Sequence, residues 1–234
     1  MRTVVVMPVY HERANLPELV KQVAAAVPET SILIVDDASG DGTPEWARAH
    51  PDFGTRLFLL ARPAKAGLAS ALRDGYAWAL DHDAERVAQM DADFSHDPAD
   101  LPRLFTALDT ADLVIGSRYC DGGGVREWSW WRERLSRFAG TYVRFWTGLP
   151  LADPTAGFRA FRAEVLREIL SNPTRCDGYG FQIEVAHAAW RAGAELREIP
   201  IIFHERRQGA SKLSLWIVLE SIARVPGLGR SRPI

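Results

Sequence analysis

Cysteine is nearly absent: Cys120 and Cys176 are the only two in 234 residues. Two thiols cannot build a disulfide framework or a zinc cluster, and they predict a reducing, cytosolic setting. Charge of one sign is not in excess either. With 28 Lys and Arg against 30 Asp and Glu the formal net charge is −2, so no nucleic-acid partner is expected and any anionic ligand has to be met by a local basic site. Long hydrophobic runs are also missing. No stretch reaches the roughly 18 uncharged apolar residues of a bilayer-spanning helix, and in MRTVVVMPVYHE charge stops the apolar run too soon for a signal peptide. There is no internal repeat and no low-complexity linker. A Gly-x-Gly-x-x-Gly is absent after the first apolar run, where MPVYHE stands instead, and this counts against a dinucleotide-binding oxidoreductase.

What the sequence does contain is an alternation of two periods. Apolar runs at Thr3–Met7, Ser31–Val35, Arg56–Leu60, Arg86–Met90 and Leu113–Ile115 read as short strands, the first two nearly all β-branched. Leu16, Leu19, Val20, Val23 and Val27 recur at helical spacing, with Asn15 as the N-cap and Glu18 completing a capping box. Thr43 before Pro44 and Asp97 before Pro98 repeat the start signal. A further helix over Leu68–Leu80 turns Leu68, Leu72, Ala79 and Leu80 inward. The alternation predicts an α/β fold with a mostly parallel sheet and helices on both faces. After residue 120 come glycines 122–124, a tryptophan-rich segment, helices and one late strand near Leu196–Phe203. This part reads as a cover over the ligand-binding edge of the same sheet, so that 1–234 forms one domain.

In an open α/β sheet the ligand sits beyond the carboxyl ends of the strands. MPVYHE, VDDASGDGT and MDADFSH follow the first, second and fourth strands and converge there. Alone, Asp36 and Asp37 read first as a turn and a helix cap. Asp91 and Asp93 are different. If the chain stays extended, side chains two apart face one point, and two like charges held together require a cation. A hard ion such as Mg²⁺ or Mn²⁺ takes one or two carboxylates and completes its shell with substrate phosphates. The pair thus implies a phosphate-bearing ligand.

The segments VVMPVYHERANLPELV, ILIVDDASGDGT, AKAGLASAL, MDADFSHDP, GSRY, GGGV, DPTAGFRAFR, GYGFQIE and RRQGASKL resemble, in order and spacing, the inverting nucleotide-sugar glycosyltransferases with the GT-A fold. Within these the chain is similar to the polyprenol-phosphate (dolichol-phosphate) mannose synthases. The resemblance implies a nucleotide-sugar-binding half (1–118) and an acceptor-binding half (119–234). It assigns Pro8, Tyr10, Glu12, Val35, Asp36, Asp37 and Lys65 to the guanosine nucleotide of GDP-mannose. Asp91, Ala92 and Asp93 would meet its sugar diphosphate, with the metal on Asp91 and Asp93. Arg118, Arg132, Gln182, Glu184, Arg206 and Lys212 would take the acceptor phosphate or leaving diphosphate, and Asp93, Arg118 and Arg206 would carry the reaction. Two positions depart from the pattern: His11 replaces a frequent Asn, and Ser95 followed by His96 leaves the third protein ligand of the metal open. By the resemblance FQIE, with Gln182 and Glu184, would face the sugar or the acceptor, and it reads equally as one turn of an amphipathic helix; Asp153 of DPTAGFR is either a helix-flanking turn residue or a carboxylate binding sugar hydroxyls.

The implied reaction asks little of a base, because a phosphate monoester with a second pKa of about 6 is already anionic at neutral pH. In-line displacement would invert the anomeric centre. The same motifs admit another nucleotide sugar, such as UDP-glucose. Trp128, Trp131, Leu135, Phe138, Tyr142 and Phe145 share one helical face, interleaved with Arg126, Arg132, Arg134, Arg137 and Arg144. This suits a helix lying in a membrane interface, and it equally suits one packed on the sheet. KLSLWIVLESIARV, Lys212–Val225, is a second candidate. The expected setting is peripheral, on the cytoplasmic face of a membrane, with room for a membrane-embedded partner subunit.

Overall fold

The computed structural model describes residues 2–172, 176, 178–205 and 224–229. In chain order the elements are β1 (Thr3–Val9), α1 (Leu16–Ala26), β2 (Ser31–Asp36), α2 (Thr43–Ala49), β3 (Leu57–Ala61), α3 (Leu68–Asp81), β4 (Arg86–Gln89), α4 (Leu101–Ala107), β5 (Leu113–Ser117), β6 (Gly124–Val125), α5 (Trp130–Thr147), β7 (Arg159–Arg162), α6 (Ala163–Ser171), α7 (Gly178–Arg191), β8 (Leu196–Pro200) and β9 (Ile202–Phe203). Seven strands form the main sheet in the order β3-β2-β1-β4-β7-β5-β8, and β6 pairs with β9 beside it.

Period-2 alternation sorts β1 between two cores. Val4 and Val6 join Leu72, Tyr76 and Ala79 of α3, Leu166 and Ile169 of α6, and Phe181 and Val185 of α7. Val5, Met7 and Val9 join Leu16, Leu19, Val20 and Val23 of α1, with Leu101 and Leu104 of α4. Helices thus cover both faces, as a mostly parallel sheet demands. At Gly75, α3 lies so close to the sheet that an added Cβ would come 2.5 Å from Val6 Cγ1.

The five early strands lie where the periodicity places them, while several details differ. β3 begins at Leu57; the Arg56 carbonyl still accepts the Ile32 amide of β2, and its side chain donates to the carbonyls of Ala24, Val27 and Thr30 near the end of α1. Asn15 makes no capping bond to α1 and donates instead to Glu12 Oε2 at 2.7 Å. The cap of α2 is Gly42, at φ 84°, and the Thr43 amide donates to the Asp41 carboxylate. Asp97 does cap, accepting from Ala99 N in the short 3₁₀ turn before α4. Leu68 points outward into a cleft, 39% exposed.

The sequence pattern missed β7, which runs antiparallel between β4 and β5. Its four residues, RAFR, have arginines at both ends and no β-branched run, so they read as a loop. The late strand is two strands, bent at Ile201, whose amide donates to Ser117 O at 3.0 Å. The aromatic face of α5 is divided: Tyr142 packs against the core and Trp128, just before the helix, meets Phe203, while the rest of the face is largely exposed. Trp130, Trp131, Leu135, Phe138 and Phe145 are 57–72% exposed, and only Gly140, Val143 and Thr147 of that helix are buried.

Candidate active site

The ends of β1 and β5 and the segments after β2 and β4 open on a cleft of about 420 Å³, a size that suits a small-molecule ligand. Pro8, Tyr10, Glu12, Asp37, Lys65, Asp91, Ala92, Asp93, Arg118 and Gln182 all line it. The predicted nucleotide residues and the aspartate pair therefore meet, although they leave separate strands.

Asp37 anchors one wall. Its carboxylate accepts the amides of Ala66 and Gly67, at 3.0 and 2.9 Å, and is ion-paired with Arg62. That places the 62–67 loop over the cleft and brings Lys65 Nζ to 3.8 Å above the Tyr10 ring. Asp36 and Val35 stand behind this wall. Asp36 is buried and bonded to Ser39 N and Oγ, and Val35 is packed inside β2. Both shape this wall without lining the cleft.

The aspartate pair reaches the cleft by a different backbone from the extended one expected. β4 ends at Gln89, and Phe94 takes a left-handed conformation at φ 64° that folds DADFSH back on itself. Asp93 Oδ1 accepts the Ser95 amide at 3.0 Å, and the Asp91 amide donates to His96 Nδ1 at 3.1 Å. His96 stacks on Phe158, with ring centres 4.8 Å apart. Burial, reinforced by the Arg118 charge and opposed by Asp93, lowers its pKa to about 4, so the ring is neutral near pH 7 and its Nε2 carries the proton. The two remaining features of the loop bear on a metal. Ser95 Oγ is buried and has no hydrogen-bond partner, which a native structure rarely tolerates unless a ligand supplies the partner. No group of three or more His, Cys, Asp or Glu side chains suited to a metal occurs among the described residues. Two carboxylates and one hydroxyl fit a hard divalent cation that takes its other oxygens from a diphosphate.

Arg118 forms the opposite wall. Its Nε and one terminal nitrogen reach the two oxygens of Asp153, each at 2.6 Å, and the latter nitrogen also reaches Thr155 Oγ1 at 2.9 Å. Burial alone would raise the Asp153 pKa, but the Arg118 charge and hydrogen bonds override it and hold the carboxyl below its usual range. Asp153 is in turn seated by Glu198 of β8, whose carboxylate accepts the amides of Ala152 and Asp153 at 2.7 and 2.8 Å. Arg132 does not line the cleft. It is ion-paired with Glu205 at 2.7 Å and lies over the Trp128 ring at 4.1 Å. Glu184 accepts the Cys176 amide at 3.0 Å, away from the cleft lining. Arg206 and Lys212 lie outside the described residues.

Sequence reasoning missed Glu198, Thr155, Gly157 and Arg159. Of these, Thr155, Gly157 and Arg159 sit in the recognised DPTAGFR segment, where only the acidic residue drew attention. Glu198 carried no signal, because a lone glutamate in a strand reads as a solvated charge.

A mostly parallel sheet with a carboxylate-bearing cleft at its strand ends defines the GT-A fold of nucleotide-sugar transferases. The fold is shared with glucosyl-3-phosphoglycerate synthase from Mycobacterium tuberculosis. Its complex with phosphoglyceric acid superposes at TM-score 0.73 and 18% identity, covering 98% of this chain and 81% of that one. Its complex with Mn²⁺, UDP and phosphoglyceric acid superposes at TM-score 0.69 and 18% identity, covering 97% and 76%. The sequence profile of Glycosyl transferase family 2 matches residues 4–170, and the chain belongs to that family. It is 45% identical to the polyprenol monophosphomannose synthase of Mycolicibacterium smegmatis, over 97% of this chain and 87% of that protein. It is 42% identical to the undecaprenyl-phosphate mannosyltransferase of Micrococcus luteus, over 98% and 94%.

Proposed function

We propose that this chain transfers mannose from GDP-mannose to a polyprenyl phosphate, releasing GDP and inverting the anomeric centre. The observation that carries the reading is the union, in one cleft, of the Asp91, Asp93 and Ser95 oxygens with the nucleotide wall of Tyr10, Asp37 and Lys65. It is supported by 42–45% identity to proteins named for mannosyl transfer to polyprenyl phosphates.

In this reading Tyr10, Glu12 and Asp37 hold the nucleoside end. Asp91, Asp93 and Ser95 would bind a Mg²⁺ or Mn²⁺ ion, which when present supplies Lewis-acid neutralisation of the departing diphosphate. Arg118, held by Asp153, presents positive charge to the acceptor phosphate. One phosphate oxygen forms the new bond to C1 of the sugar while the bond from C1 to the diphosphate breaks, and the electron pair leaves with GDP. No protein base is needed. The chain's task is to bring two anions into line and to keep them there.

The acceptor is a lipid, and α5 offers the surface that meets it. Trp130 and Phe138 are 72% and 66% exposed, and arginines flank the aromatic face, as in helices that lie in a membrane interface. Among the described residues no helix is long and apolar enough to cross a membrane. The proposed placement is peripheral, on the cytoplasmic face, with or without a membrane-embedded partner.

The test incubates the protein with labelled GDP-mannose or UDP-glucose, a short polyprenyl phosphate and Mn²⁺ or Mg²⁺, and extracts the lipid. Label should pass to lipid from GDP-mannose and require the metal. Transfer from UDP-glucose alone would replace the donor, and transfer from neither would refute the reading.

A further inference from the structure

The start of α5 and the segments beside it gather three arginines around two aromatic rings. Arg132 lies over the Trp128 ring at 4.1 Å and Arg118 over the same ring at 5.6 Å. Arg118 also lies over Tyr119 at 5.1 Å, and Arg137 covers Tyr119 at 4.4 Å. Cation and ring alternate through the group, and each ring attracts the guanidiniums beside it. Each arginine also has its own carboxylate: Asp153 for Arg118, Glu205 for Arg132 and Glu133 for Arg137. Among these described residues the charges match, so an anion meets an unmatched guanidinium only where one pair opens.

The pairs differ in how hard they are to open. Arg118 and Asp153 are buried, and separating them costs a factor of hundreds or more. Arg137 and Glu133 lie one turn apart on one helix, so that carboxylate stays at hand whatever else moves. The side chains of Arg132 and Glu205 are 29% and 34% exposed and belong to separate segments, and an ion pair of that exposure is worth about two- to fivefold. Both Glu205 oxygens bond a single terminal nitrogen of Arg132, at 2.9 and 2.7 Å, whereas Asp153 engages two nitrogens of Arg118 side by side. A phosphate monoester carries a charge of about −1.5 to −2 and three acceptor oxygens. It can take the whole fork of an arginine that this carboxylate holds by one tip. The place is right as well. Trp128 meets Phe203 edge-on at 5.4 Å, and Phe203 and Arg118 line the cleft, so Arg132 stands one ring back from it. The His204 amide donates to Ser95 O at 3.1 Å, which fixes the backbone that carries Glu205.

We propose that Glu205 is a built-in stand-in for the acceptor phosphate, occupying Arg132 until the phosphate displaces it. The exchange leaves Arg132 on the Trp128 ring, so the guanidinium is not ordered anew when its partner changes. It also accounts for the position of Arg132, which the resemblance assigns to the acceptor phosphate and which the structure sets back from the cleft on a carboxylate. Anions that cannot outcompete a carboxylate are held off, and selectivity for the phosphate follows from that competition. The inference rests on the reading of the acceptor as a polyprenyl phosphate, but not on which sugar is transferred.

The test measures the affinity of a short polyprenyl phosphate, and of the alcohol with the same chain, for the wild type, Glu205→Gln, Arg132→Gln and the double variant. Glu205→Gln should bind the phosphate about two- to fivefold more tightly, because no exposed ion pair has to open first. Arg132→Gln should bind it about ten- to a hundredfold more weakly, the worth of a charge-assisted hydrogen bond. Adding Glu205→Gln to Arg132→Gln should change nothing further, and the alcohol should bind all four proteins alike. A pair that only braces the fold would give Glu205→Gln no gain. Unchanged or weaker phosphate binding in Glu205→Gln, a gain that persists without Arg132, or an equal gain for the alcohol would overturn the exchange. Failure of the phosphate to bind any of the four would overturn the exchange and the proposed acceptor together. The expected binding pattern without transfer of mannose from GDP-mannose would refute the proposed donor alone and leave the exchange standing.

Discussion

Arg118 and Asp153 are joined by two parallel bonds of 2.6 Å, and both side chains are at least 94% buried. Removing one partner strands the other as an uncompensated buried charge, which costs about 3–5 kcal/mol. Asp153→Asn should therefore lower the unfolding free energy by that order in urea titrations. The pair also sets a pH dependence. The folded-state pKa of Asp153 is depressed, so its contribution is fully present above the unfolded value of about 4 and is lost as the pH falls through the folded value. In the Asn variant this acid-labile part of the stability should be missing.

Asp91→Asn should remove metal-dependent GDP binding and lower lipid transfer by about a thousandfold, the scale of losing several kcal/mol of charge stabilisation. The fold should not suffer, because the change relieves two like charges facing one cleft. Calorimetric GDP titrations with and without Mn²⁺ check the first part and thermal melting the second. Wild-type transfer in this variant would remove the metal role.

His96 is buried in its neutral form with a pKa of about 4. Its folded pKa is depressed from an unfolded value of about 6.5, so the unfolded chain binds the extra proton and stability falls as the pH drops from about 6.5 towards 4. Denaturant midpoints of metal-free protein across that range should show the slope. His96→Gln should flatten it, and a slope unchanged in the variant would assign it to other groups.

Gly75→Ala should be destabilising. Its Cβ would meet Val6 Cγ1 at 2.5 Å and Val35 Cγ2 at 3.0 Å, and overpacking of this kind costs about 1–3 kcal/mol. The gain in helix propensity, about 1 kcal/mol, offsets only part of it. A melting temperature at or above wild type would mean that α3 can shift away from the sheet.

On α5, Trp131→Ser and Phe138→Ser should weaken sedimentation with anionic liposomes by about tenfold each, the worth of one aromatic side chain buried in the interface. Stability should stay within about 0.5 kcal/mol, since both rings are more than half exposed. Equal liposome binding by both variants would exclude this face as the contact.

The convergence of the strand-end residues on one cleft was legible in the sequence because period-2 strands announce their own ends. Once β1, β2 and β4 are placed, Tyr10, Asp37 and Asp91 must meet. The acceptor side was less legible. Arginines there are read as phosphate ligands one by one, whereas Arg118 and Arg132 are held by Asp153 and Glu205, partners 35 and 73 residues away. Such pairs obey no local period. β7 was hidden for a related reason: its arginines look solvated until three carbonyls from two segments are seen to surround Arg159. The helix of aromatic residues was visible, but spacing alone could not say whether protein or solvent covered it.

β7 runs against β4 and β5, with Arg159 level with Gln89 on one side and Ile115 on the other. Its neighbours deliver residues to the cleft as they leave the sheet, whereas β7 delivers residues 153–157 as it enters. The cleft is thus supplied from both chain directions, and its two ends are carried by parts of the polypeptide that do not share a strand. Substitutions in that five-residue entry would alter one end of the cleft while the strands that carry Tyr10, Asp37 and Asp91 stay as they are. A single reversed strand thus lets one end of the cleft change without disturbing the other.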